Sequence, residues 1–198
     1  MDSFEKEPAQ LSATSLEEVE PPTKAEADPE NLVAKDTENE PALESIKDTI
    51  ANLDTGGEKI LHQIDGGVVR LKNETHLTVN EISAANVKIE SGSSLEAGPT
   101  RDALLRIETG AKAAAESIND SVVRVKGELL VNGLMEDGIL RLEESAQATI
   151  AMIKDLVVRV KAGCKLDIGT ALNCIIHLEE GAIVNIKNQA DSIVKKNK

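Results

Sequence analysis

The chain has 198 residues and a formal net charge of -13, from 35 acidic side chains against 22 Lys and Arg. Its only aromatic residue is Phe4, which removes stacking platforms for bases, and the acidic balance disfavours any polyanion, so no nucleic-acid partner is expected. A core without Phe, Tyr or Trp also has to be thin and built from aliphatic layers, which suits a narrow β-solenoid better than a wide globule.

The first 48 residues hold 14 acids and 4 bases, a net of -10 that leaves only -3 for the remainder. Five of the 6 prolines lie at or before Pro41, and all 13 glycines lie at or after Gly56. Residues 1–40 are therefore expected to be a disordered acidic, Pro-containing tail. The opening MDSFEKEPAQ has no basic stretch leading into an apolar one, so no secretory signal is expected, and no apolar run is long enough for a membrane span. With two cysteines and no signal, a cytoplasmic location is expected. Over residues 41–54, Leu43, Ile46, Ile50 and Leu53 follow a 3-4-3 spacing behind Pro41, which predicts a short capping helix over the end of the solenoid. The alternative is a degenerate first coil, because Gly56 and Ile64 lie one repeat before Glu74 and Ile82.

Residues 55–192 form the predicted core, in which an 18-residue unit recurs seven times. The copies open with VVRLK at Val68, then NVKIE, LLRIE, VVRVK, ILRLE, VVRVK and IIHLE, and only the fourth is short, by one residue. So strict a period means stacked coils with no core of their own. Within each phrase the second and fourth residues are aliphatic and alternate with charge, the pattern of a half-buried strand. A second inward pair follows, as in Leu77 and Val79 or Leu166 and Ile168, and a third inward position holds Ile82, Ile118, Met135 and Ile153. Three faces and a triangular cross-section are expected. The corner between the first two faces carries Gly92, Gly110, Gly127, Gly163 and Gly181, broken by Glu74 and Ser145; recurrent Gly marks a tight or left-handed backbone. Inward residues paired two apart with uneven gaps favour a right-handed parallel β-helix. Residues 193–198 are read as a basic C-terminal tail, although Ile193 and Val194 keep the repeat phase.

No motif for catalysis, phosphate binding or zinc is present, so no enzyme activity, cofactor or metal is expected. His62, His76 and His177 occupy different columns, and Cys164 and Cys174 read as small structural residues. The third column is basic throughout: Arg70, Lys88, Arg106, Arg124, Arg141, Arg159 and His177. It is a candidate docking stripe for an acidic partner, for anionic lipid heads or for the chain's own acidic tail. A solvated face offset by local ion pairs with the fifth column is the plainer alternative.

The 18-residue coils, paired aliphatic positions, Gly corners and near absence of aromatics resemble the bactofilins. The resemblance covers residues 57–192. It implies a right-handed β-helix that polymerises without nucleotide by end-to-end stacking. It further implies a scaffold at the inner face of the cell membrane that positions cell-shape, division, envelope or cell-wall proteins. The core lacks the aromatic residue that bactofilins often carry near its end, and the tail is longer and more acidic than is common there. The end that follows the last coil looks uncapped, so Ile176, Leu178, Val184, Ile186, Ile193 and Val194 are the expected self-assembly residues. A non-polymerising module that recruits a partner through its basic stripe or acidic tail is the other reading.

Overall fold

The computed structural model describes residues 44–196, and every regular element within them is a β-strand. Short strands of 4 residues are β2 (Ile50–Leu53), β4 (Val68–Leu71), β6 (Asn86–Ile89), β8 (Leu104–Ile107), β10 (Val122–Val125), β12 (Ile139–Leu142), β14 (Val157–Val160), β16 (Ile175–Leu178) and β18 (Ile193–Lys196). Long strands of 8 or 9 residues alternate with them: β3 (Gly57–Asp65), β5 (Thr75–Ser83), β7 (Ser94–Arg101), β9 (Lys112–Asn119), β11 (Glu128–Glu136), β13 (Gln147–Lys154), β15 (Lys165–Leu172) and β17 (Ile183–Ala190). The described chain opens with β1 (Glu44–Lys47). The short strands make one 9-stranded parallel sheet, and β1 with the long strands makes another, each in sequence order. The fold is thus the expected parallel β-solenoid. Nine layers at ~4.8 Å spacing make it roughly 38 Å long.

Register explains why the repeat is so regular. Val69 pairs with Val87 and Leu77 with Leu95, one period apart, so like stacks on like. Val69, Val87, Val123, Leu140, Val158 and Ile176 are fully buried, as are Leu71, Ile89, Val125 and Leu142. On β5 the inward residues are Thr75, Leu77 and Val79, then Ile82. The interval widens from two to three, and pairing with β7 skips Asn80 and Glu81. The second and third inward positions therefore share one bent strand, where the sequence pointed to separate faces.

Residues 44–53 are strands, not a capping helix. Ile46 faces inward from β1, and Ala51 and Leu53 face inward from β2, while Ile50 points out and is 72% exposed. Asp48 turns the corner between them at φ 45. A corner set between two alternating strands gives Ile46, Ile50 and Leu53 the same spacing as a helical stripe. This is the degenerate first coil. The acidic tail expected at residues 1–40 and the helix start expected at Pro41 lie outside the described residues. At the other end, Ile193–Lys196 is no tail: β18 pairs in phase with β16.

The fourth coil loses its residue in an unexpected place. Glu108 to Ala111 connect β8 to β9, but only Lys126 and Gly127 connect β10 to β11. The two missing residues are half recovered inside β11, where the register shifts between Val131 and Met135. Gly127 is consequently not one of the corner glycines. It takes the place of Ala111 and Ala146 in a column of small inward residues, and Gln147 N donates to its carbonyl. A Cβ there would lie 2.2 Å from the Ala111 carbonyl oxygen, so the shortened turn admits only glycine.

Candidate interaction surfaces

The terminal layers leave strand edges open. Among the described residues, β1 and β17 are the outer strands of one sheet, and β2 and β18 those of the other. At the C-terminal end Val184 and Ile186 are only half-buried, Val194 is 39% exposed, and Ile193 is 54% exposed but points outward. Ile176 and Leu178, also expected at this edge, lie one layer below and are buried under β18. The N-terminal end, where the apolar spacing suits a capping helix as well as a degenerate coil, is a second open edge. It presents Ile46, Ala51 and Leu53, all partly buried. Each end also carries a lysine in an inward column. Lys59 pairs with Leu77, and Lys196 pairs with Leu178. Gln189 likewise pairs with the buried Ala171. Inward charge at an edge opposes stacking.

The basic stripe runs down the outer face of the short-strand sheet. Arg70, Lys88, Arg106, Arg124, Arg141, Arg159 and His177 stack one above another in register. Its members differ in how they are offset. Arg124 Nε donates to Glu143 Oε2 at 2.8 Å, Nη2 donates to the same oxygen, and Glu143 is almost buried. Lys88 lies 3.2 Å from Glu90 and 3.8 Å from Glu108. Alongside, Lys126 lies 2.8 Å from Glu144; their hydrogen bond holds the Lys126 pKa up and the Glu144 pKa down. Arg70, Arg106, Arg141 and Arg159 form no ion pair among the described residues, so the uncompensated charge sits on them. Arg141, Arg159 and His177 line a shallow hollow with Glu143 and Glu179.

Two columns flank this stripe, and the sequence reading passed over both. The first residue of each repeat phrase points outward, giving an aliphatic column that includes Leu104, Val122 (39% exposed), Ile139, Val157 and Ile175 (38% exposed). Two residues earlier, the corner into each short strand is left-handed. It is Gly66 at φ 74 and Ala84 at φ 49 before the second and third short strands. Elsewhere it is Asp at Asp48, Asp102, Asp120, Asp137, Asp155 and Asp191, and Asn at Asn173, with φ between 45 and 52. Their recurrence at the repeat period was legible in the sequence.

Two of the three histidines have side-chain partners. His76 Nδ1 lies 2.7 Å from Ser94 Oγ, and His62 Nδ1 lies 3.4 Å from Asn80 Nδ2. Cys164 and Cys174 are both buried, each in an inward corner column; Cys174 Sγ lies 3.1 Å from the Leu172 carbonyl, and burial pushes its thiol pKa up. Among the described residues no three His, Cys, Asp or Glu side chains gather as metal ligands would, and no helix is long and apolar enough to cross a membrane. Compared with family models, with curated proteins and with solved structures, the chain matches none.

Proposed function

We propose that this protein is a bactofilin-like scaffold: a non-enzymatic, nucleotide-independent solenoid that stacks end to end, acts at the inner face of the cell membrane and positions cell-shape, division or envelope proteins. The observation that carries the reading is the state of the ends. Four strand edges are unpaired among the described residues, and Ile46, Ala51, Leu53, Val184, Ile186 and Val194 lie half-covered behind them. The two ends also match in phase. If β18 of one copy meets β2 of the next, Ile193 falls on Ile50 and Val194 on Ala51, and the ladders continue.

Negative-stain electron microscopy of the full chain and of a version beginning at Glu44 tests this. Filaments in both, or only in the shortened form, support stacking; in the second case the acidic segment is a brake. Discrete particles of single-chain mass in both, at high concentration, would remove the scaffold reading. A second reading rests on Arg106, Arg141 and Arg159, which lack ion-pair partners among the described residues. In it the rod does not polymerise, the stripe recruits an acidic partner, and reversing these three charges abolishes that recruitment while leaving the fold unchanged.

A further inference from the structure

The outer face of the short-strand sheet carries a pattern that matches itself. In four consecutive coils the segment reads DALLR from Asp102, DSVVR from Asp120, DGILR from Asp137 and DLVVR from Asp155; DSIVK from Asp191 repeats it. The corner Asp is exposed in the first three, and the Arg at the other end is exposed in all four. The central aliphatic residue stands midway between them and points outward. Down the rod this makes three parallel stripes: acidic, aliphatic and basic.

The turn alone does not account for the acid. A left-handed corner accepts Asn or Gly as readily as Asp, and Asn173 and Gly66 occupy it elsewhere. Within the chain, Asp102, Asp120 and Asp137 form no ion pair among the described residues, and neither do Arg106, Arg141 and Arg159. Two stripes of opposite sign, each with these three members unspent, therefore flank an apolar one, while Arg124 and Asp155 are held by Glu143 and Lys154. A two-fold axis along the aliphatic stripe brings the acidic stripe of one copy over the basic stripe of another, coil for coil. A two-fold axis across the rods would instead set acid on acid and base on base. Charge complementarity thus selects both the occupant and its direction.

The geometry points to a lateral interface in which two copies of this chain pair side by side and parallel, through the outer faces of their short-strand sheets. Asp102 of one copy meets Arg106 of the other, and Val122 meets its own counterpart on the axis. Five coils give a contact footprint on the order of 300 Å² per rod from strand spacing and rise. A stable interface needs about 800 Å² per partner. Two single rods therefore pair weakly, and the contact gains strength wherever rods are joined in register. Because the face lies along the rod, pairing does not depend on end-to-end stacking.

Disulfide trapping on the full chain reads this directly, since both native cysteines are buried. Val122→Cys and Ile175→Cys, each exposed to oxidised glutathione, are expected to form covalent dimers at least tenfold faster than Thr149→Cys on the other sheet. In a mixture of the first two, each couples with itself and not with the other, because parallel pairing keeps coils level. Asp102→Asn, Asp120→Asn and Asp137→Asn together preserve the turns and are expected to remove the acceleration. An Arg106→Glu, Arg141→Glu chain and an Asp102→Lys, Asp137→Lys chain, each also bearing Val122→Cys, stop coupling alone and resume when mixed. Circular dichroism checks that each is folded. Coupling is read in fractions of single-rod mass, so a failure of end-to-end stacking leaves this test intact. Trapping no faster than the Thr149→Cys control, or no recovery in the mixture of folded charge variants, overturns the interface. Preferred coupling of Val122→Cys with Ile175→Cys overturns the parallel direction.

Discussion

At the scale of single residues, two turn types serve one corner. Ser93 N donates to the Glu90 carbonyl across a turn whose only left-handed residue is Gly92 at φ 78, the sign pattern of a type II turn. Thr75 N donates to the Lys72 carbonyl in the same place, but Asn73 and Glu74 are both left-handed, at φ 53 and 59, as in a type I′ turn. Glu144 and Ser145 repeat that arrangement. The positions that interrupt the glycine column are thus strained members of it. Glu74→Gly makes an Asn-Gly pair, which a type I′ turn prefers, and should stabilise the fold by about 0.5–1 kcal/mol in urea unfolding. Gly110→Ala should cost about 1–2 kcal/mol, since its φ is 77 and the new Cβ would lie 2.7 Å from Ser91 Oγ. Cys174 gives a separate prediction. Its buried thiol has a raised pKa and thus little thiolate near neutrality, so a thiol reagent at pH 8 should label it only at the rate of unfolding. Rapid labelling of native protein would show that the last coils open.

At the scale of the strand, columns decide stability. The third inward column stacks Ile82, Thr100, Ile118, Met135 and Ile153, and Thr100 is the member the repeat reading left out. Its hydroxyl is buried with no hydrogen-bond partner among the described residues. An unsatisfied hydroxyl between isoleucines costs free energy that a methyl group of similar shape does not. Thr100→Val should therefore raise stability by about 1 kcal/mol, and an unchanged or lower midpoint would mean that a water satisfies the hydroxyl. The fourth coil shows how far the column rule bends. Two residues leave one corner and one enters the next strand, yet Leu129, Val131 and Met135 stay buried in their ladders. Inward side chains stack on their neighbours in the coils above and below, so they hold register while the corners absorb the difference.

For the molecule as a whole, its ends and its long face are two different surfaces. At the ends, Lys59 and Lys196 occupy aliphatic ladder positions that hold Leu in the adjoining coil. Burying an unpaired ammonium is costly, so these lysines set how tightly one rod seats on another. Lys59→Leu and Lys196→Leu, singly and together, are expected to lengthen end-to-end assemblies or lower the concentration at which they form, as read by light scattering. No change in the double variant would place the ends outside any assembly contact. High salt separates the two surfaces. Screening should weaken the charge-matched side face while leaving apolar end contacts intact or stronger.

The repeat period, the inward ladders, the parallel solenoid and the basic column were all determined by the sequence alone. Each is a statement about residues at one fixed spacing, and stacking turns that spacing directly into contact. Three things needed the tertiary structure. Ile46, Ile50 and Leu53 fit a helix as well as two strands around a corner, and only pairing with the next coil separates the two. Where the fourth coil shortens depends on which backbone atoms have room, and that is fixed by Ala111 across the gap. Which basic residues remain uncompensated depends on acids one coil away, such as Glu143 beside Arg124, whose reach is set by side-chain geometry and not by order along the chain.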